Sequence, residues 1–317
     1  MRQPVPHAHG RRAGFTLIEL LVSMLMGIVI LTVSTNFATA TLRSSRGSDL
    51  RDGLNRDARF VGLAVSRDLQ DAGIAFESNQ QFGSLATRND TVVALSVPFL
   101  PNEAEAYDMV VPIDTASVLP PGGTCGATCI DVVDPNTVPF QLVVGDLALL
   151  QVQNERRLIV LTAISTPSTN VRRLTFAPRD SLFVFPGAFA DGLRLTRFGV
   201  AVQKMNMTGW FKTPGAPTLM RAVGFNADGS LRASAAARGL ETFSTRIRFT
   251  DGDELTQADG IDADTTNDYN RIASVVIRAR LQLERTDRSV NGGAPLFKDY
   301  EWRVAPRNLL FERNRIL

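Results

Sequence analysis

From Phe15 to Val33 the chain is apolar except at Thr16, Glu19, Ser23, Gly27 and Thr32. That run approaches the roughly 20 residues needed to cross a bilayer as a helix. The apolar positions then thin to a stripe, with Leu50, Leu54, Ala58, Val61, Val65, Leu69 and Ala72 recurring at steps of four and three. Arg51, Arg56, Arg59, Arg67 and Asp68 fall on other faces, the signature of an amphipathic helix. Gly73 stands where a C-terminal cap is expected. The pattern predicts one helix from about Phe15 to Ala72, roughly 87 Å long at 1.5 Å per residue. Ser44, Ser45, Gly47 and Gly53 weaken its middle, so a bend or local melting is expected near 43–53.

From Thr91 onward the period changes to two, mixed with short apolar runs. Strands are predicted at 91–97, 107–113, 146–153, 157–164, 171–176, 193–204, 243–250, 271–284 and 298–305, separated by loops rich in Pro, Gly, Asn and Asp. In the last-but-one of these, Ile277, Ala279, Leu281 and Leu283 alternate with Arg278, Arg280, Gln282 and Glu284, as in an antiparallel strand exposed on one face. The fold class expected is α+β, a long N-terminal helix packed on a C-terminal antiparallel sheet domain.

Composition narrows the function. With 317 residues, 44% hydrophobic, the chain can bury a real core, which excludes general disorder. Lys plus Arg number 34 against 32 acids, too balanced for a chain that binds nucleic acid directly. The only histidines, His7 and His9, precede the apolar run, so losing the N-terminus would remove imidazole chemistry and turn the net charge slightly negative. No G-x-S-x-G, Gly-rich phosphate loop or H-E-x-x-H motif is present, which points away from an enzyme.

Glu19 is the informative residue of the apolar run. A carboxylate inside a membrane costs about 2.5–3.5 kcal/mol on insertion scales, so it is expected to have a partner or a role. A secretory signal peptide cut after Ala38-Thr39-Ala40 would need a shorter apolar core without the acid. A plain membrane anchor leaves the acid unexplained. A third reading accounts for both features. The string Gly14-Phe15-Thr16-Leu17-Ile18-Glu19-Leu20-Leu21-Val22 closely resembles the class III signal of type IV pilins and pseudopilins. The resemblance implies cleavage after Gly14 by a prepilin peptidase and N-methylation of Phe15. Glu19 would then face the new α-amino group of its own or a neighbouring subunit and set the axial register of the subunits.

Further along, Arg67-Asp68-Leu69-Gln70-Asp71-Ala72-Gly73 resembles the D-L-x-x-A-G signature of PilW-like minor pilins, and Val144-Gly145-Asp146-Leu147 its G-D-L turn into a strand. Leu240–Phe249, Arg271–Arg285 and Glu301–Asn308, including Arg307-Asn308, follow in that family's order. The resemblance implies a leader at 1–14, a transmembrane and filament-core helix at 15–42, its amphipathic continuation at 43–75, and a β-rich globular domain at 76–317. It implies a single-pass inner-membrane protein with its globular domain in the periplasm, later carried into the pilus at the cell surface. The implied partners are the prepilin peptidase, other minor pilins, the major pilin, the inner-membrane assembly platform and membrane lipid. The implied role is to prime or cap pilus assembly in support of adhesion, twitching motility or DNA uptake. A minor pseudopilin of type II secretion, of the J type, shares the signal and is the alternative within the family. A soluble exported binding protein or enzyme cut after Ala40 is the alternative outside it.

Two further groups are candidates. Cys125 and Cys129, in a Gly-rich loop, are expected to close a small disulfide ring in an oxidising compartment, with free thiols as the alternative; too few ligands surround them for a metal. The segment 251–268 carries Asp251, Asp253, Asp259, Asp262 and Asp264, an oxygen-rich set suited to Ca²⁺, with Glu254 and Asp268 in the same stretch. The EF-hand register fails there, so a solvated acidic loop is the competing expectation. No other cofactor is expected.

Overall fold

The computed structural model describes residues 16–76, 78, 83–98, 107–108, 128–134, 139–152, 155–177, 181–182, 185–186, 200–264 and 266–309. These divide into two compact units, one within Met1–Asp52 and Arg285–Ala294, the other within Gly53–Glu284 and Pro295–Leu317. Helix α1 runs from Leu17 to Gln70 without a break. The melting expected near 43–53 does not occur. A helical Gly costs about 1 kcal/mol and a Ser less. Leu50 and Leu54, on either side of Gly53, are buried, and each contributes about 1.5–3 kcal/mol.

In the first unit the residues of α1 up to Asp49 are almost all exposed, whereas Leu50 is buried. The 285–294 loop is held by Asp287, which accepts hydrogen bonds from the backbone N–H and hydroxyl of Ser289 at 2.8 and 2.6 Å.

In the second unit the predicted stripe is the core. Leu54, Ala58, Val61, Val65, Leu69 and Ala72 are all at most 3% exposed. They pack with two sheets. The larger contains β1 (Leu85–Arg88), β2 (Thr91–Ser96), β3 (Tyr107–Asp108), β4 (Cys129–Val133), β5 (Leu147–Val152), β6 (Glu155–Ser168) and β7 (Val171–Phe176). It also contains β10 (Val200–Lys212), β11 (Thr218–Phe225) and β12 (Leu231–Arg238), while β8 (Ser181–Leu182) and β9 (Phe185–Pro186) form a separate two-stranded ribbon. The smaller sheet is ordered β14 (Glu254–Leu255), β13 (Leu240–Phe249), β15 (Ile272–Gln282), β16 (Phe297–Val304).

Long strand β10 organises the larger sheet. Val200–Met205 pair with β5 and Asn206–Phe211 with β2, while Thr208–Lys212 pair on the other side with β11. The short apolar runs of the sequence are strands buried on both faces. Val92 and Ala94 of β2 join the core that contains the helix stripe, whereas Val93 and Leu95 join a second cluster on the opposite face. Leu147 and Leu149 of β5 share that second cluster, while Ala148 and Leu150 enter a third with Ile159 and Leu161. β15 alternates as predicted, with Ile277, Ala279 and Leu281 buried. On its outer face Arg278 bridges Glu254 and Glu301.

Seven strands go beyond those the sequence pattern predicts: β1, β4, β11 and β12, and the two-residue strands β8, β9 and β14. β12, Leu-Arg-Ala-Ser-Ala-Ala-Ala-Arg, is rich in alanine and has little strand propensity; it is formed by its pairing with β11. Of the predicted strand 107–113 only Tyr107–Asp108 lies within the described residues. The one predicted at 193–204 is described from Val200 and extends to Lys212.

Candidate functional site

Gly14 and Phe15, the expected processing residues, lie outside the described residues. Thr16 and Glu19 lie within them and form a reciprocal cap. The Glu19 N–H donates to Thr16 Oγ1 at 3.3 Å, and the Thr16 N–H donates to Glu19 Oε2 at 3.4 Å. This is a T-x-x-E capping box, which satisfies two of the free N–H groups that begin α1 and places a carboxylate at the positive end of the helix dipole. Its spacing stands in the sequence, where the acid is conspicuous for its membrane cost and the cap is not. The other polar residues of the run satisfy themselves. The Ser23, Thr32 and Thr35 hydroxyls donate to the carbonyls of Leu20, Ile28 and Leu31 at 2.8–2.9 Å. Thr39 and Thr41 do the same to Asn36 and Phe37, both at 2.9 Å. Hydroxyls bonded back to their own helix suit a surface surrounded by apolar material, where an unsatisfied donor is costly. Leu17, Ile18, Leu25, Ile30, Leu31 and Phe37 are each more than 60% exposed, on several faces of the helix. It is the one helix, among the described residues, long and apolar enough to cross a membrane.

The C-terminal end of α1 is fastened by polar contacts. Asp68 accepts two hydrogen bonds from Arg221 of β11 at 2.7 and 2.9 Å and one from the indole N–H of Trp210 of β10 at 2.8 Å. Arg221 also lies over the Trp210 ring, 5.9 Å from its centroid. The hydrogen bond to Asp68 raises the pKa of Arg221 further above its ordinary value, against the opposing effect of burial. Next to this clamp, Leu69 and Ala72 are fully buried and Gly73 adopts φ +81°. The Gly73 N–H donates to Leu95 O at 2.9 Å, and the Asn308 side chain donates to Ala72 O at 3.2 Å. A side chain at 73 would be strained by that φ, and its Cβ would come 3.1 Å from Ser84 Oγ. The signature at 67–73 therefore has a physical content: an acid clamp, two core residues and a left-handed stop.

The second signature does similar work. Gly145 has φ +91° and donates to Leu161 O at 2.7 Å. Asp146 accepts from the Val143 N–H at 2.8 Å and pairs with Lys204 of β10 at 2.9 Å. Together they fix the entry into β5.

Cys129 opens β4 and is disulfide-bonded. Cys125, the other cysteine of the sequence, lies outside the described residues.

Within the acidic segment the structure separates two groups. Asp251 sits at the β13–β14 turn, accepting from the Asp253 N–H at 3.0 Å. Asp262, Asp264 and Asp268 converge, each with a carboxylate oxygen within 4.8 Å of the others. Burial, with Asp264 and Asp262 adding to it, raises the pKa of Asp259. Burial, then Asp262 and Asp259, raise that of Asp268, against the pull of Arg271. Hydrogen bonds from the Thr266 N–H and hydroxyl hold Asp264 below its ordinary value. The sequence does not single out Asp268, because nothing in an acidic run shows which member is buried.

No solved structure matches this chain. It is 35% identical over 75 residues to the pilin-like protein PilA3 of Thermus thermophilus, an overlap covering 22% of this chain. The chain spans about a third of the length of that curated relative, 32% of it. The model of the prokaryotic N-terminal methylation motif matches residues 9–35, so the chain carries a prepilin-type N-terminal segment of the kind found in pilin-like proteins.

Proposed function

We propose that this chain is a PilW-like minor pilin: a low-copy subunit, processed after Gly14 and methylated at Phe15, that primes or caps a type IV pilus together with other minor pilins. One observation carries the reading. A single helix joins an apolar surface exposed on several faces, Leu17 to Leu42, to a segment whose apolar stripe is core for its own sheets. An exposed apolar helix of this kind needs lipid or the helices of other subunits around it. The methylation motif at its head supports the same reading. A mature chain of about 300 residues is bulky for a major subunit repeated thousands of times, which favours a minor one.

In this reading the protein works by contact and not by turnover. The helix waits in the inner membrane with the β-rich domain in the periplasm, and the assembly platform then moves it into the pilus. Glu19 sets register through the α-amino group of its own or a neighbouring subunit, while the sheet domain meets partner pilins. Adhesion, twitching motility or DNA uptake would follow from the pilus and not from direct contact of this chain with nucleic acid.

The test is a chromosomal deletion complemented with wild-type or Glu19→Ala protein. The expected result is loss of surface pili on deletion, restoration by the wild type, and membrane insertion without restoration by Glu19→Ala. Normal piliation on deletion with loss of protein secretion would instead assign the chain to type II secretion as a minor pseudopilin. Full complementation by Glu19→Ala would remove the role given to that residue.

A further inference from the structure

The loop between β14 and β15 is closed at its base and open at its tip. At the base the Asp259 N–H donates to Asn267 O at 3.0 Å and the Tyr269 N–H donates to Asp259 O at 3.2 Å, setting Asp259 beside Asp268. Asn267 takes φ +58° to make this turn. The tip supplies Asp262 and Asp264, whose carboxylates converge with that of Asp268 within 4.8 Å. The sequence there runs Asp262, Asp264, Thr266, Asp268, an acid or hydroxyl at every second residue.

Like charges gathered this way repel one another, and an exposed pair can answer by turning outward into water. Asp268 cannot. It is 2% exposed, and its Oδ1 is sealed from solvent without a hydrogen-bond donor. Asn270, two residues on, also has a buried Oδ1 with no donor. A buried carboxylate oxygen left without a partner is among the costlier arrangements a fold can hold. Here it belongs to a residue whose carboxylate faces two others. A cation is the partner that relieves both the repulsion and the missing hydrogen bond.

The donor set selects its class. All the converging atoms are carboxylate oxygens, which favours a hard cation over zinc or copper. Oxygens on opposite sides of a Ca²⁺ ion, at about 2.3–2.6 Å each, lie roughly 4.6–5.2 Å apart. Carboxylate oxygens that all lie within 4.8 Å of one another are close enough to share one such ion. Mg²⁺ demands a tighter, near-ideal octahedron at about 2.0–2.1 Å and sheds its water reluctantly, so a loop of carboxylates favours the more tolerant Ca²⁺.

We propose that Asp262, Asp264 and Asp268, with Asp259 beside them, form a Ca²⁺ site that fastens this loop to the sheets. Asp251 and Asp253 lie outside the site. The ion has a structural consequence through the residue that follows. Tyr269 packs against two of the core clusters, and an added Cβ at Gly83 would meet its ring at 2.7 Å. Thr87 of β1 donates to Thr256 O at 2.8 Å, so the same loop is pinned to the larger sheet at its other end. Binding at the acids would hold both attachments in place. The site stands on the buried Asp268 carboxylate and its convergence with Asp262 and Asp264, and is independent of the role in pilus assembly.

The experiment is calorimetric titration of CaCl₂ into the metal-stripped full-length protein in detergent, with melting curves in chelator, CaCl₂ and MgCl₂. One Ca²⁺ per chain is expected, with a rise in Tm of about 3–6 °C at tenfold excess over Kd and a smaller rise with MgCl₂. Asp264→Asn and Asp268→Asn should each abolish the rise. Asp268→Asn should also melt at or above the wild type in chelator, since it removes a buried carboxylate charge crowded by Asp262 and Asp259. Asp251→Asn should retain the full rise. Identical wild-type melts in chelator and CaCl₂ with no heat of binding, or a rise that survives both Asp264→Asn and Asp268→Asn, would overturn the proposal. If a variant fails to fold, the wild-type titration decides by itself.

Discussion

The two halves of α1 are built from similar apolar residues and solve opposite problems. Between Leu17 and Leu42 leucines, isoleucines and valines point outward on several faces, and the few hydroxyls bond back to the helix. Between Leu54 and Ala72 one apolar stripe is the core of the sheet domain, finished by the Asp68 clamp and the Gly73 stop, while Phe60 and Leu63 lie off that stripe and are exposed. Within this chain a large side chain in the first half stabilises little, whereas one in the buried stripe of the second carries the fold. The first half is therefore selected for what surrounds it in a membrane or filament, the second for what its own chain provides.

Matched substitutions can break that contrast. The largest difference is expected between Leu69→Ala and Leu25→Ala. Leu69 is fully buried, so its truncation should cost about 3–4 kcal/mol in denaturant unfolding of the detergent-solubilised protein, whereas Leu25→Ala should stay within about 0.5 kcal/mol. A comparable cost at Leu25 would mean that the first half also packs on its own chain.

Next comes Asp68→Asn, which keeps the shape but removes the charge facing Arg221. Arg221 is 39% exposed at its side chain, so solvent screens part of the loss, and about 2 kcal/mol is expected in the same unfolding measurement. The double variant Asp68→Asn/Arg221→Gln should lose less than the sum of the two single variants.

The smallest effect is a contrast of sign. An alanine Cβ at Gly27 would meet nothing within 4 Å, so Gly27→Ala should leave helix stability unchanged or raise it by up to about 1 kcal/mol. At Gly62 the same atom would meet Nε1 of Trp302, whose ring is stacked on Tyr300. Gly62→Ala should therefore lower Tm by several degrees despite the better helix propensity of alanine. Equal shifts at both positions would show that the Trp302 ring moves aside freely.

Much of this contrast is legible in the sequence, for physical reasons. The 3.6-residue period of the stripe from Leu50 to Ala72 is set by the need to bury one face, so it survives in the sequence as a pattern. The alternation in β15 has the same origin with period two. What is not legible depends on distant partners. Asp68 meets Trp210 and Arg221 from 142 and 153 residues away, and no local rule links them. β12 is a strand by virtue of β11, and the helix passes through Gly47 and Gly53 because burial nearby outweighs a local weakness. Asp268 differs from its acidic neighbours only by burial. The cap of Thr16 and Glu19 is local and readable, but an acid in an apolar run advertises its membrane cost more loudly than its hydrogen bonds.

The role given to the helix turns on how the chain begins in the cell. Mass spectrometry and N-terminal sequencing of the protein recovered from membranes test it directly. Prepilin processing predicts a mature chain starting at N-methylated Phe15, with Gly14 removed. A chain starting at Thr41, or one still carrying residues 1–14, would contradict it.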